Sequence, residues 1–264
     1  LKKLKLKSDK QVDRVGNSAI DSKGNISSNA KTFWSTAAKP DGNEVMLGGV
    51  AEVMTNFTGT RKVYFDNPKT KKLASFNLSQ LTSAAGDSAL LAAHMNVTES
   101  ELGDYVYWAL GADIDDEDQD ASTKVRQDIF GDPLHSKPLV LNYGGSAANQ
   151  DVRIIVGTNS GALHMFDDAG NTVTESWAVM PYELLPNVQV LRTNNATSSK
   201  VYGVDGTATA YINDANGDGS IGTNDKAWVF TGLRRGGSSY YALDVSLRDE
   251  PKIKWKIDPT SQSN

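Results

Sequence analysis

Apolar positions along the chain fall in short runs that are rich in valine, isoleucine, tyrosine, phenylalanine and tryptophan. Clusters of glycine, asparagine, serine, threonine and aspartate separate these runs. Short apolar runs between turn residues are typical of β-strands. From residue 132 onward such runs and glycine-rich turns follow one another regularly, so the pattern predicts a β structure.

Helical periodicity is confined to two stretches, from Ser79 to His94 and from Thr98 to Ala109. The second begins with a T-x-x-E capping box at residues 98–101, whose side chains satisfy two free backbone N–H groups. Earlier in the chain, Arg61 to Phe65 and Lys72 to Phe76 predict two strands around a turn. Helices are therefore expected to be few and short.

An internal repeat occupies the C-terminal half of the chain. The first copy runs from Arg153 to Asp167 and is followed by Trp177, and the second runs from Lys226 to Asp244 and is followed by Trp255. We interpret each copy as a hairpin with a third, outer strand that brings the tryptophan back against the sheet. Such repeats predict a β-propeller, and two unrelated hairpins in a sandwich are the alternative.

The predicted organisation is an N-terminal arm or pair of edge strands at residues 1–30, followed by an all-β propeller domain at residues 31–264. A closed propeller needs at least about four blades of about 40–50 residues each. Because 264 residues with long insertions fall short of this requirement, the propeller is expected to be incomplete, as part of a larger one.

The string D-A-N-G-D-G-S-I-G-T-N-D at residues 214–225 has the spacing of an EF-type calcium loop. Calcium prefers about six to eight oxygen ligands, which alternating side chains and one backbone carbonyl can supply. Gly219 stands where such a loop turns sharply, and Ile221 is the apolar anchor. The predicted ligands, at loop positions 1, 3, 5, 7 and 12, are Asp214, Asn216, Asp218, Ser220 (through its carbonyl) and Asp225.

The loop departs from the motif at its last ligand, since position 12 is an aspartate and the usual residue is the longer glutamate. Gly222 at position 9 has no side chain, so water is expected to fill that place. The run from Ala227 to Phe230 after the loop predicts a strand. The loop is therefore expected to lie between strands, and a polar turn that binds no ion is the alternative.

Five further segments are most informative when they are taken together and in order. They are GDPLHSKPLV (131–140), VGTNSGALHMFD (156–167), WAVMPYELLP (177–186), VYGVDGTATAYI (201–212) and GLRRGGSSYYALDVS (232–246). Each segment alone is weakly specific, but the ordered set closely resembles the C-terminal propeller domain of the PilC/PilY family of type IV pilus biogenesis proteins. The similarity is good over roughly residues 100–258.

This resemblance implies a modified, quinoprotein-like propeller with a few short helices and a calcium site. It also implies an exported protein that supports pilus assembly, opposes retraction, and contributes to twitching motility and surface attachment. The expected location is the pilus tip, the cell surface or the outer membrane of a Gram-negative bacterium. The expected partners are pilins or minor pilins, together with host-cell surface receptors.

Two other functions fit parts of the sequence. A quinoprotein-like calcium-dependent dehydrogenase also combines a propeller with calcium, but its calcium ligands are scattered and its cofactor is often held by a vicinal disulfide. This chain has no cysteine, and its predicted ligands are contiguous. A dockerin that binds cohesin would carry two calcium loops, and one is found here. The pilus function without a catalytic role is therefore favoured.

The net charge of the chain and the absence of several sequence motifs argue against other classes of protein. The net charge of −5 and the pI near 5.3 disfavour a nucleic-acid-binding protein. No run of about 18 apolar residues predicts a membrane span, and no nucleophile motif or phosphate-binding loop is found.

The remaining polar candidates have structural interpretations. His94, His135 and His164 are far apart in sequence and are predicted to be buried or hydrogen-bonded, since no spacing supports zinc. The acidic stretch at residues 113–120 is predicted to be a solvated linker, and a second cation site is the alternative. Arg234-Arg235 is predicted to be an exposed turn pair. Four aromatic residues are predicted to pack within the sheet: Trp228, Tyr240, Tyr241 and Trp255.

Overall fold

The computed structural model describes residues 1–117, 119, 121, 125–127, 129–146, 149–195 and 199–259. Its helices are α1 (Gly49–Thr55), α2 (Leu78–Ala85), α3 (Ser88–Met95), α4 (Leu102–Leu110) and α5 (Leu185–Thr193). Its strands are β1 (Lys5–Lys7), β2 (Lys10–Val12), β3 (Val63–Asp66), β4 (Leu73–Ser75), β5 (Leu139–Ser146), β6 (Asn149–Gly157), β7 (Leu163–Asp168), β8 (Val173–Val179), β9 (Thr209–Asn213), β10 (Lys226–Gly232), β11 (Tyr240–Asp244) and β12 (Lys252–Ile257).

The largest sheet has six strands in the order β4-β3-β8-β7-β6-β5. Strands β5 to β8 form an antiparallel meander, in which each strand pairs with the next along the chain. Residues 154–156 of β6 and 163–166 of β7 are buried in succession, so both faces of the sheet are covered there. The turn between them passes through Gly161, whose φ of 102° is readily available only to glycine.

A hairpin from earlier in the chain extends this sheet at β8. β3 and β4 pair with each other in antiparallel fashion, which confirms the two strands predicted between residues 61 and 76. β3 also lies parallel to β8, with Val63 opposite Ala178 and Tyr64 opposite Val179. A parallel pair requires a long crossover connection, and the chain between β3 and β8 supplies one that includes α2, α3 and α4.

The second large sheet has four strands in the order β12-β11-β10-β9. It is an antiparallel meander like that of β5 to β8, so the hairpin with an outer third strand is confirmed in both copies of the repeat. Trp177 lies opposite Met165, and Trp255 lies opposite Ala242. In both outer strands the pairing shifts by one residue immediately before the tryptophan, so the two tryptophans hold the same register position.

The two meanders pack against each other through one apolar core. Leu141, Ile155 and Trp177 come from the six-stranded sheet, and Val229 and Leu243 come from the four-stranded sheet. All five are buried, and Trp177 has no exposed surface. Burial of this much apolar and aromatic surface makes the junction a principal source of stability.

Helices α2 to α5 form a second apolar core over β3 and the adjoining end of β8. The predicted helix of residues 79–94 is in fact two helices, because the chain turns at Gly86 with a φ of 132°. Asp87 then caps α3 by accepting the backbone N–H of the third residue after it at 2.8 Å. The capping box before α4 is confirmed, since the Glu101 carboxylate accepts the backbone N–H of Thr98 at 2.9 Å.

The prediction of an all-β propeller is wrong. The described residues form a mixed α/β structure with five α-helices, and none of their sheets, of two, six and four strands, closes into a barrel or a propeller. The repeat led to the wrong fold because two packed meanders bury alternate side chains of their strands, and neighbouring propeller blades would bury the same side chains. The part of the chain before residue 138 also contributes four helices, more than the two helical stretches that the sequence predicts.

We predict that the junction between the meanders depends on the hydroxyl of Tyr143, which donates a hydrogen bond of 2.5 Å to the carbonyl of Val245. Tyr143→Phe leaves a buried carbonyl unsatisfied, so the free energy of unfolding in urea should fall by about 1–3 kcal/mol. Tyr107, which is 57 % exposed, is the matched control, and Tyr107→Phe should leave stability unchanged. Equal stability of Tyr143→Phe and the parent protein would contradict this role.

Candidate functional site

The loop of residues 214–225 connects β9 to β10. Its two ends are held side by side, because Asn213 pairs with Lys226 in the antiparallel ladder. The expectation that this loop lies between strands is therefore confirmed, and the flanking strands fix its base.

Ile221 anchors the loop to the junction between the meanders. It is 3 % exposed and packs in the core that the two sheets share. Its backbone N–H donates to the carbonyl of Asn142 on β5 at 2.8 Å, and the Asn142 side-chain amide donates to the carbonyl of Gly219 at 3.0 Å. The predicted apolar anchor is confirmed, and it ties the loop to a strand of the other sheet.

The first and last predicted ligands organise the loop backbone. Asp214 accepts the N–H groups of Gly217 and Gly219 at 2.7 and 2.8 Å. Asp225 accepts those of Ala215 and Gly222 at 2.8 and 2.6 Å, and it is 3 % exposed. These four bonds wrap the backbone around the two carboxylates.

The middle predicted ligands lie on the exposed side of the loop. Asp218 accepts bonds from the backbone N–H and the hydroxyl of Ser220 at 2.8 and 2.7 Å, and the Asn216 side-chain amide donates to it at 2.9 Å. The hydrogen bonds from Ser220 hold the pKa of Asp218 below its usual value. An ionised carboxylate at this position is the form that a cation requires.

The donor chemistry of the loop fits a hard cation. Each carboxylate oxygen that accepts one hydrogen bond keeps a second lone pair, and carboxylate, amide and carbonyl oxygens are the ligands that calcium selects. Among the described residues, however, no three or more acidic or histidine side chains are already arranged to hold a metal ion. Metal binding at the predicted ligands therefore stays a prediction.

A buried charged cluster joins the chain just before β3 to β7 and β8. Arg61 donates to both carboxylate oxygens of Glu175, at 2.6 and 2.8 Å, and His164 lies 2.7 Å from the same carboxylate. Burial favours a higher pKa for Glu175, but Arg61 and His164 outweigh it and lower the pKa to about 2. Burial lowers the pKa of His164, so its imidazole is neutral at neutral pH.

The other two histidines are also hydrogen-bonded, so the structural interpretation of all three is confirmed. The ring of His94 stacks on Tyr182 and lies 3.0 Å from its carbonyl oxygen. The ring of His135 lies 2.9 Å from the buried carboxylate of Asp205.

The acidic stretch at residues 113–120 is more ordered than a solvated linker. Asp113 is 4 % exposed and accepts the backbone N–H of Glu117 at 3.0 Å. Arg192 forms two hydrogen bonds with Asp115, and they hold the pKa of Asp115 below its usual value. Asp118 and Asp120, the other acidic residues of that interpretation, lie outside the described residues.

The basic turn has partners within the chain. Arg234 lies 3.2 Å from the Asp205 carboxylate, and Arg235 donates to the hydroxyl of Tyr202 at 2.9 Å. Both arginines are exposed, so the prediction of an exposed turn pair is confirmed, and each of them also has a partner within the chain.

The four aromatic residues divide between the two faces of their sheet. Tyr241 is 3 % exposed, as predicted, but Tyr240 is 57 % and Trp255 is 40 % exposed. Trp228 and Trp255 each contact one aromatic neighbour on the outer face, Tyr211 and Phe230 respectively. Packing within the sheet therefore accounts for only part of the predicted set.

Sequence reasoning missed a polar network between the two sheets. The Tyr241 hydroxyl donates to Glu183 at 2.7 Å and lies 3.3 Å from Asp66, and the Lys256 amine contacts the same two carboxylates at 2.9 and 3.0 Å. Burial, reinforced by both carboxylates, raises the pKa of Tyr241. No motif reveals this network, because 190 positions separate Asp66 from Lys256.

The site and fold define a mixed α/β chain in which two packed meanders support an aspartate-rich loop. No family model and no solved structure matches the chain. One curated relative is the type IV pilus biogenesis factor PilY1 of Pseudomonas aeruginosa (strain UCBPP-PA14), which is 30% identical over 161 residues. That match covers 53% of this chain and 13% of the relative.

A second relative is a PilY1 homolog of Xylella fastidiosa (strain Temecula1 / ATCC 700964), which is 36% identical over 108 residues. That match covers 40% of this chain and 7% of the relative. Together these matches confirm a similarity to PilY1-type proteins of type IV pilus biogenesis. The chain spans a small part of the length of these relatives.

The helices were compared with the length and hydrophobicity of membrane-spanning helices. Across the described part of the chain, no helix combines the length and the apolar character that crossing a bilayer demands.

We predict that His164 makes stability depend on pH. Below its usual pKa of 6.5, the unfolded chain binds a proton at this imidazole, whereas burial keeps the folded imidazole neutral. The unfolded state therefore binds more protons, and the free energy of unfolding should fall as the pH decreases from about 7 to about 5. Urea unfolding at both pH values should show this decrease in the parent protein and a smaller one in His164→Gln.

Val156→Ala is the control, because it removes buried apolar volume without removing a titratable group. This variant should be less stable at both pH values and keep the pH dependence of the parent. An identical pH dependence in His164→Gln and Val156→Ala would contradict the assignment.

Proposed function

We propose that this chain is part of a type IV pilus biogenesis factor that supports pilus assembly and opposes pilus retraction. The observation that carries the proposal is the 30% identity to PilY1 of Pseudomonas aeruginosa over 161 residues. In this proposal the chain contributes to twitching motility and surface attachment, and it has no catalytic role. It acts through contacts with pilins or minor pilins and with host-cell surface receptors.

The proposed location follows from the same relationship. A factor that contacts the pilus must leave the cytoplasm, so the chain is expected at the pilus tip, the cell surface or the outer membrane of a Gram-negative bacterium. The net charge of −5 and the many polar turn residues suit an exposed surface.

Calcium binding by the loop of residues 214–225 is the second part of the proposal. Asp214, Asn216, Asp218 and Asp225 would supply side-chain oxygens and Ser220 its backbone carbonyl, which is the donor set that calcium prefers. The bound ion would supply positive charge where three carboxylates of one loop otherwise repel one another. What supports this part is the ligand spacing together with the buried anchor Ile221.

The anchors explain how the loop can affect the rest of the chain. Asn142 on β5 accepts the N–H of Ile221 and donates to the carbonyl of Gly219, so it contacts the loop on both sides of position 7. A change in the loop conformation must therefore act on β5 and on the core between the meanders. In this proposal the bound ion would control the rigidity of this junction.

We predict that calcium binding depends on Asp218. Isothermal calorimetry should show saturable calcium binding to the parent protein, and Asp218→Ala should weaken it by on the order of tenfold, because affinity follows the number of charged ligands. Glu250→Ala is the control, since Glu250 is an exposed carboxylate outside the loop, and it should bind as the parent does. Equal heats of calcium titration for the parent and Asp218→Ala would contradict the assignment of a calcium site to this loop.

The pilus function has its own test in the bacterium that encodes this chain. Deletion of the gene should reduce surface pili and twitching, and the parent gene should restore both. Complementation with a gene that carries Asp218→Ala separates the two parts of the proposal. If this gene restores pili in full, the pilus function stands and calcium binding has no role in it. Normal piliation and twitching after the deletion would contradict the pilus function.

A further inference from the structure

One position of the loop of residues 214–225 carries a residue pair with a reactivity of its own. Position 3 is Asn216 and the next residue is Gly217, and this is the only asparagine–glycine pair in the sequence. The backbone nitrogen after an asparagine can attack the side-chain amide carbon, because the two atoms close a five-membered ring. A side chain on the following residue would shield that nitrogen, and glycine has none. The attack therefore meets the least steric resistance at this pair.

Both residues of the pair are open to solvent. Asn216 and Gly217 are exposed, and a Cβ atom built on Gly217 would meet no other atom within 4 Å. Water, which is a reactant in the second step described below, can therefore reach the pair in the folded chain.

A carboxylate lies beside the attacking nitrogen. The backbone N–H of Gly217 donates to the carboxylate of Asp214 at 2.7 Å. Hydrogen bonds to an ionised acceptor are shorter and stronger than those between neutral groups. Because the nitrogen must lose its proton to form the new bond, Asp214 holds an acceptor where the reaction needs one.

The amide of Asn216 is hydrogen-bonded through both of its polar atoms. Its oxygen accepts the backbone N–H of Asp218 at 3.2 Å, and its nitrogen donates to the carboxylate of the same residue at 2.9 Å. A donor at the oxygen stabilises the negative charge that develops there during attack. The side chain must also turn toward Gly217, and rotation of an exposed side chain is fast compared with covalent chemistry.

The reaction has two balanced steps and needs no oxidant or cofactor. First, the Gly217 nitrogen forms a bond to the amide carbon of Asn216. The bond from that carbon to the side-chain nitrogen breaks, and this nitrogen leaves as ammonia with the proton that Gly217 lost. Water then opens the cyclic imide: its hydroxyl joins one carbonyl carbon, the bond from that carbon to nitrogen breaks, and the nitrogen regains a proton.

The two ways of opening the ring change the loop in opposite directions. One gives aspartate at position 216, which adds a fourth carboxylate to the loop, and a higher ligand charge favours calcium. The other gives isoaspartate, in which the main chain runs through the side chain and is longer by one carbon atom. The N–H groups of Gly217 and Gly219 would then leave their places around Asp214.

A bound calcium ion would oppose the reaction. In the proposed site the side-chain oxygen of Asn216 and the carboxylate of Asp214 both bind the ion. The amide is then held toward the centre of the loop and can no longer turn toward the nitrogen of Gly217. This protection rests on the proposed calcium function, whereas the reaction itself does not.

We propose that Asn216 is a site of deamidation and that calcium bound in its loop slows the reaction. The modification converts a neutral ligand position into a charged or displaced one, so it alters the affinity of the loop for calcium.

The test follows the full chain by peptide mass spectrometry during incubation at neutral pH, with a chelator or with saturating calcium. In the chelator, position 216 should gain the mass difference between an amide and an acid, and calcium should slow this gain. Asn224 is the internal control, because it is exposed in the same loop but is followed by Asp225. Fragment masses separate the two positions, and Asn224 should keep its amide.

Three variants connect the rate and the product to the geometry. Gly217→Ala should slow the loss of ammonia by about tenfold, because a Cβ atom shields the attacking nitrogen. Asn216→Gln, whose longer side chain cannot close the same ring, should keep its amide and guards against an effect of altered loop structure in the alanine variant. Asn216→Asp reproduces one product and should bind calcium about tenfold more tightly than the parent in calorimetry.

Several outcomes would overturn the deamidation site. An unfolded peptide of residues 210–220 serves as the positive control, and an intact amide at Asn216 in the folded chain after this peptide has lost its own would do so. Equal loss at Asn224 would do the same, as would a Gly217→Ala variant that reacts as fast as the parent.

The role of calcium is decided separately. Equal rates in chelator and in calcium, in a protein that calorimetry shows to bind the ion, would overturn the protection and leave the calcium site standing. If calorimetry shows no binding, the calcium site and the protection both fail. The rate in the chelator still decides whether Asn216 is a deamidation site.

Discussion

The packing of one meander against the other is the interaction on which the rest of this structure depends. Trp177 is fully buried in that junction, and its indole N–H donates to the carbonyl of Arg248 on the four-stranded side at 2.8 Å. Because the apolar faces are buried against each other, the polar loop of residues 214–225 is left at the surface. Function is therefore expected at this loop, and the junction holds it in position.

Charged groups on the other face of the six-stranded sheet, turned away from the junction, add specificity to the apolar packing. Burying ions costs free energy unless each one is paired and hydrogen-bonded, and Arg61, Glu175 and His164 satisfy one another. Their pairing fixes the place where β3 joins β8. The Asp66 and Lys256 pair then connects β3 to the other sheet, so a strand from the N-terminal half links both meanders.

Local features of the chain could be predicted well, and arrangements of sheets could not. The capping box, the β3–β4 hairpin, the meander of each repeat and the buried anchor Ile221 each depend on residues close in sequence. The helix at residues 79–94 failed because a left-handed turn at Gly86 divides it. The propeller failed because strand patterns show which faces are buried without showing what buries them.

The sequence by itself determined the strands of both repeats, the loop between β9 and β10 and the similarity to PilY1-type proteins. These depend on alternation, turn residues and motif spacing, which are local properties. Only the tertiary structure decided that β3 covers β8 and that Asn142 contacts the loop. Such contacts join residues far apart along the chain, and their energies exist only once the two sheets have packed.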